Sequence, residues 1–385
     1  MLINFRRTSR ALAANAAALL IMAAVISANV PTRPATIAQA SADPLTMLPA
    51  SDFVMVVDVQ RILNEMVPQL LASNQTALGQ MNAALNDLQV KTGIDARGVR
   101  RIAIGIRGID PKILASGESF PGVVIVQGID ADKLLNLIQQ DARGGATQTQ
   151  YAGRTINTFT PDSRGAKTGT IKMPISKISF TALDANTVVV GDLPLVEAAI
   201  DVSDGRGTRV SDELVALATR NQNAVISLAG NVPPALAAQA LAARGASPLP
   251  VSDEFVKAAS SIKQFFASIG LTASGYNFLM GARAANSVEA KTVSDTLAAF
   301  KALAAMHASS AVQKSGDKAF REMIEGIQIS TVGDDVEIKA EVTHASINDL
   351  TKLALSARPS STSAASVNKR QPARRRGVRR GARRR

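Results

Sequence analysis

The sequence predicts an α+β protein: two similar modules, each an antiparallel or mixed sheet with helices packed on one face. Three observations carry that reading. Apolar runs of strand length alternate with amphipathic stretches of helix length. Residues 43–203 and 211–356 share one element order (β, helices, β-β, helix, β-hairpin, helix), as a duplicated module would. The chain has 385 residues, 46% hydrophobic and 19% charged, which is globular composition with length enough for two cores.

The first module opens on Leu48–Leu71, an apolar strand running into an amphipathic helix. Phe53–Val57 is continuously apolar, as in a central strand covered on both faces. Asp58 follows at a strand end, where a carboxylate invites a catalytic reading, but its place before a helix suits an N-cap. Ile62, Met66 and Leu70 recur on one helix face, with Leu63, Val67 and Leu71 beside them. Pro68 should bend or divide that helix, because its nitrogen has no proton for the Asn64 carbonyl. A second helix carries Leu78, Met81, Leu85 and Leu88, and Gly93 is placed to end it in a left-handed cap. Ile102, Ile104 and Ile106 mark one strand and Val123–Val126 another. Asp130 should cap a helix bearing Leu134, Leu135 and Ile138. A hairpin at Ala152-Gly153, a basic loop Pro161–Pro174 with Arg164, Lys167 and Lys172, and two strands about Asp184-Ala185-Asn186 follow. Asp192 should cap the closing helix, whose inner face holds Leu195, Val196 and Ala199.

Ser203–Thr208 reads as the boundary between modules. Beyond it come a short helix over 211–219, a strand over 223–229, with Gly230-Asn231 in the capping position of Asp58, and an Ala-rich helix over 233–243. A helix capped near Ser252 should place Phe255, Ala259, Ile262 and Phe266 on one face, ahead of strands near 267–273 and 277–283. Asn286 and Glu289 have capping-box spacing before a long helix with Val293, Leu297, Phe300 and Ala304. After a short helix near 316–324, Ile327 and Ile329 lead to the turn Gly333-Asp334-Asp335. There Val336, Ile338, Ala340 and Val342 alternate with Glu337, Lys339 and Glu341, one dry face and one wet. A helix around Ile347 and Leu350 closes the module.

The ends differ from the body. Arg6, Arg7 and Arg10 precede the apolar run Ala11–Ala28, the layout of a secretory signal peptide; residues 1–42 read as that signal and a Pro-containing linker. The alternative is an uncleaved N-terminal anchor. Residues 357–385 form a low-complexity linker and a disordered Arg-rich tail. Its ten cations are Lys369, Arg370, Arg374, Arg375, Arg376, Arg379, Arg380, Arg383, Arg384 and Arg385. The whole chain carries +12, so without this tail it is nearly neutral. Guanidinium groups pair with phosphates and other anions, which makes the tail a salt-sensitive ligand for an anionic envelope surface or other polyanion. It carries no sequence readout of nucleic acid.

Composition narrows the chemistry. With no Cys there are no disulfides, thiol nucleophiles or Cys-held metals, and aromatics at 3% make stacking platforms scarce. Ser260-x-x-Lys263 has the spacing of a serine β-lactamase nucleophile, and Lys-Thr-Gly occurs at Lys91–Gly93 and Lys167–Gly169. Both copies precede the serine, whereas those enzymes have them after it. His307 and His344 are the only histidines, with no nucleophile elbow beside either. Asp130/Asp132 and Asp334/Asp335/Glu337 lack the spacing of a calcium loop and read as caps and turns. No phosphate-binding loop is present. No catalytic, cofactor-binding or metal residues are assigned, and no cofactor is implied.

Leu48-Pro49-Ala50, Val57-Asp58-Val59 and Thr92-Gly93-Ile94-Asp95 resemble elements of a group of uncharacterised exported bacterial proteins, over residues 43–202. That resemblance implies an envelope-associated, non-enzymatic protein of the periplasm, cell envelope or extracellular space, and it transfers no site residues. Two alternatives stand beside it: a carrier of a small apolar ligand held between sheet and helices, and a hydrolase with an unrecognised site.

Overall fold

The computed structural model describes residues 43–72, 74–108, 121–141, 147–159, 177–233, 252–310, 324–344 and 346. The signal-like segment, the basic loop, the helices expected over 233–243, around Ile347 and over most of 316–324, and the Arg tail lie outside the described residues.

Among the described residues twelve strands form one sheet. In chain order they are β1 (Phe53–Asp58), β2 (Arg101–Ile106), β3 (Gly122–Gln127), β4 (Thr147–Tyr151), β5 (Arg154–Phe159), β6 (Ile178–Asp184), β7 (Thr187–Gly191), β8 (Ala224–Asn231), β9 (Gln264–Leu271), β10 (Gly275–Arg283), β11 (Gln328–Val332) and β12 (Asp335–Thr343). Across the sheet the order is β11-β12-β10-β9-β8-β1-β2-β3-β7-β6-β5-β4. Every pairing among the described strands is antiparallel, so the mixed alternative falls away. The α+β class stands. β1 and β8 are joined directly, Phe53 opposite Gly230 and Val57 opposite Ile226. Outward from that pair, β1-β2-β3-β7-β6 on one side matches β8-β9-β10-β12-β11 on the other. The hairpin β4–β5 has no counterpart among the described residues of the second half.

The helices are α1 (Val59–Arg61), α2 (Val67–Leu70), α3 (Gln75–Thr92), α4 (Ala131–Asp141), α5 (Leu193–Ser203), α6 (Asp212–Ala218), α7 (Asp253–Ser260) and α8 (Ser287–Ser310). They lie on both faces of the sheet rather than one. On one face α5, α6 and a 3-10 turn (Pro44–Met47) bury Val54, Ala103, Ile125, Val189 and Ala229. On the other, α4 and α1 cover Val57, Ile102, Val126 and Val188, and α7 and α8 cover Val336. The reason lies in the central strands. β1, β2 and β3 are apolar at successive positions, and successive side chains point to opposite faces, so each face needs a cover.

Local chemistry sets most boundaries. The Asp58 carboxylate accepts from the Arg61 N–H at 3.0 Å, which makes it the cap of α1. Between α1 and α2 the chain takes a π-helical turn, Ile62–Met66, in which the Val67 N–H donates to the Ile62 carbonyl five residues back. Pro68 cannot donate, and the ladder slips by one residue to accommodate it. Gly93 ends α3 at φ 70°, a left-handed conformation that a Cβ would penalise. Asp130, Ser252 and Asn286 receive the backbone N–H groups expected of caps.

Other expectations are corrected. Asp192 stands at the start of α5 but its side chain makes no capping bond. Asn231 ends β8, where its side chain receives Gln264 Nε2 at 3.2 Å; the helix it was to cap lies outside the described residues. Phe266 belongs to β9, not to the helix of Phe255. α7 stops at Ser260, and by Lys263 the backbone is already pairing with Arg283, 2.8 Å away. Accordingly β9 begins three residues before the expected 267.

Candidate functional site

The densest group of charged side chains among the described residues lies at one end of the second half, on the α5–α6 face. Strand register builds it. Asn231, Gln264, Arg283 and Asp335 are cross-strand neighbours on β8, β9, β10 and β12, and Glu337 stands one pleat further along β12. The loop after α6 brings Arg220 over them.

Asp335 and Glu337 are only 5% and 3% exposed. Arg283 grips the Asp335 carboxylate through Nε at 2.7 Å and NH2 at 3.2 Å. Arg220 also donates to Asp335 and reaches Glu337 through Nε at 2.7 Å. Lys339 Nζ holds the second Glu337 oxygen at 2.7 Å. Gln264 links the group to Glu213 and Asn231, each at 3.2 Å. The Arg220 guanidinium lies 5.1 Å from the centre of the Phe266 ring, a cation–π contact.

Burial raises the Asp335 carboxyl, but hydrogen bonds from Arg283 and Arg220 outweigh it and hold it below the usual carboxylate range. The same bond to Asp335 raises Arg283. The three cations and the anions Glu213, Asp335 and Glu337 balance, so the group is neutral. An aspartate kept ionised between two guanidiniums is no proton donor near neutral pH. The arrangement is a clamp that fastens the loop after α6 to β10 and β12.

This cluster was not foreseen. Asp335 and Glu337 were expected on a turn and a wet strand face, yet they are buried. Alternation identifies the face but not what covers it, and Arg220 comes from 115 residues away in sequence. The pairing of a lone Arg after the short helix α6 with acidic strand positions leaves no local signal.

The other sequence candidates are spread over the fold. Ser260 Oγ donates to the Lys257 carbonyl at 2.7 Å at the end of α7, so it is a helix-terminal hydroxyl. Thr92 of the first Lys-Thr-Gly donates to the Leu88 carbonyl at 2.7 Å and Lys91 pairs with Asp87 at 2.6 Å, both within α3. Lys167–Gly169 lies outside the described residues, as does the side chain of His307. His344 Nε2 is 3.1 Å from Gln69 Oε1, and its ring meets Tyr276 edge-on at 5.5 Å. Among the described residues no three of His, Cys, Asp and Glu converge to hold a metal ion, and no helix is long and apolar enough to cross a membrane. The cations from Lys369 to Arg385 lie outside the described residues.

No protein-family profile and no curated protein matches this chain. Among solved structures, crystal form III of TP0453 covers 82% of this chain and 100% of its own, with a TM-score of 0.39 and 9% identity. Crystal form I of TP0453 gives 82% and 98%, with a TM-score of 0.37 and 10% identity. That likeness is too slight to carry fold or function.

Proposed function

We propose that this is an exported, non-enzymatic protein of the cell envelope whose C-terminal tail holds it to anionic surfaces. The observation that carries this is the segregation of charge. Ten cations and no anions fall within residues 369–385, while the rest of the chain sums to +2. A run of arginines releases counterions when it meets a polyanion, so its binding weakens steeply with salt. The folded body supports a scaffold rather than a reaction centre, because the carboxylates in its main charged cluster are neutralised by guanidinium partners. The signal-like N-terminus supports export.

Deleting residues 358–385 should leave the thermal transition unchanged and abolish salt-sensitive binding to vesicles containing anionic lipid. Equal binding by the truncated protein would overturn the role of the tail.

One observation favours a carrier of an apolar ligand as the second reading. On the face opposite α5, the strand row Met55, Leu228, Ala267, Met280 and Ile338 is apolar throughout, and Met280 is 57% exposed. Native mass spectrometry of protein purified from its own host should then show a bound lipid-sized mass. Bare protein there would remove this reading and leave the first untouched.

A further inference from the structure

We propose that β4 is a self-pairing edge, through which two copies of this chain join their sheets across a twofold axis. Among the described residues β4 is the outermost strand, and Thr147, Gln148, Thr149 and Gln150 are all exposed. Its pairing with β5 turns at Ala152-Gly153, both at positive φ (49° and 78°), a two-residue hairpin of the tight mirror-image type. Such a turn makes Tyr151 and Arg154 a hydrogen-bonded pair. By alternation, the backbone N–H and C=O groups of Gln148 and Gln150 therefore point away from β5, out of the sheet.

Natural edge strands are usually blunted by a charge, a proline or a bulge. Thr-Gln-Thr-Gln-Tyr has no charge and no proline, and its register with β5 is unbroken. The edge is also held rigid. Tyr151 donates to Asp201 at 2.7 Å and Arg154 pairs with Asp204 at 2.9 Å, which tie both strands of the hairpin to the end of α5. Asp204 is kept below the usual carboxylate range by that Arg154 bond, so the tie is ionised at neutral pH. Among the described residues the hairpin also extends the sheet on one side only.

The occupant follows from the strand's own sequence. Laid antiparallel on itself about Thr149, β4 sets Gln148 against Gln150 of the other copy. The outward backbone groups of these two residues then meet as a hydrogen-bonded pair on either side of the axis. Thr149 meets its own copy at a close, non-hydrogen-bonded position, and no like charges face each other. A five-residue strand is a small interface, so the dimer should be weak and concentration dependent.

Because the natural chain has no cysteine, a single Thr149→Cys reads this geometry. Its Cα would face its own copy at about 4.5 Å, within the roughly 4.4–6.8 Å that a disulfide spans. Mild oxidation should give a cross-linked dimer from Thr149→Cys and none from Gln75→Cys, an exposed position on α3. Equal cross-linking at both positions, or none at Thr149→Cys, would overturn the proposal. Gln150→Pro removes an outward N–H and leaves the backbone bonds to β5 in place, at the loss of the Gln150 Nε2 bond to Thr155 Oγ1 (2.8 Å). It should weaken the dimer at least about tenfold in sedimentation equilibrium, with an unchanged circular dichroism spectrum. Wild-type protein that stays monomeric at the highest soluble concentration would also refute it.

Discussion

The two halves of the sheet carry corresponding polar rows and close them in opposite ways. In the first half the row is Asp58, Arg101, Gln127 and Thr187. In the second it is Asn231, Gln264, Arg283 and Asp335. In the first, Arg101 pairs with Asp43 at 3.2 Å and Asp58 at 3.6 Å, and the 3-10 turn seals the rest of the row with apolar side chains, Leu45 and Leu48 fully buried and Met47 against the Gln127 amide. At the place matching Met47 the second half has Arg220, and at the place matching Thr187 it has Asp335. The Thr187 hydroxyl is buried with no hydrogen-bond partner among the described residues, whereas Asp335 receives two guanidiniums. One topology thus accepts an apolar plug or an ionic clamp, and the strand order fixes neither. The energetics should differ accordingly. Apolar burial adds stability in proportion to area, while a buried ion pair adds little net but is costly to break.

Breaking the clamp should have the largest effect. Arg220→Ala leaves Asp335 and Glu337 buried with one cation fewer each, and should cost about 3–5 kcal/mol in urea unfolding. Because the Asp335 pKa is depressed in the fold, its contribution is present above the unfolded carboxylate pKa and is lost as pH falls through the folded one. The Arg220→Ala penalty should therefore shrink below about pH 4. A sharper test rebuilds the first half's chemistry at this site. The combination Arg220→Met, Arg283→Gln, Asp335→Thr and Glu337→Val copies Met47, Gln127, Thr187 and Val189. It should cost less than Arg220→Ala alone, since an apolar replacement strands no charge. A larger loss would mean that the halves are not interchangeable in this respect.

The plug should respond more mildly and in a different manner. Leu48 is fully buried, its side chain packed against Gly105 of β2. Leu48→Ala should cost about 2–4 kcal/mol through lost transfer energy and a cavity. The loss should be the same at pH 7 and pH 4 and insensitive to salt, because no titrating group changes partner. A salt-dependent loss would show that the plug also works through charge.

How far this contrast was legible in the sequence follows from the range of the forces involved. Asp58, Asp130, Gly93 and the Ala152-Gly153 turn were readable because a cap or tight turn is settled within four residues. The continuous apolar run Phe53–Val57 announced a central strand, and β1 does sit between β2 and β8. The direct β1–β8 pairing was not readable, since a strand's sequence shows that it pairs but not with which partner. Nor was Phe266, whose spacing from Ile262 fits a helix face as well as a strand. The clamp was hidden most deeply. Glu337 and Lys339 alternate with apolar neighbours like any solvated face, and only the fold brings Arg220 across to bury Glu337.

Asp192 offers the smallest effect and the most discriminating sign. It stands at the start of α5, in the first half, without a side-chain capping bond, and burial raises its carboxyl above the usual range. A raised acid is the mirror of Asp335: its stabilising contribution is complete below the unfolded pKa and is lost as pH rises through the folded one. Asn has a similar N-cap preference to Asp and carries no charge to desolvate. Asp192→Asn should therefore raise stability at pH 7 by less than about 1 kcal/mol and leave it unchanged at pH 3. Asp335→Asn should do the reverse in sign, with a large loss at pH 7 that narrows towards pH 3. Two aspartates on one fold would then give pH profiles of opposite slope relative to wild type, one at the start of α5 and one inside the clamp. If Asp192→Asn instead lowers stability at pH 7, the charge at the start of α5 acts on the helix dipole more strongly than burial opposes it.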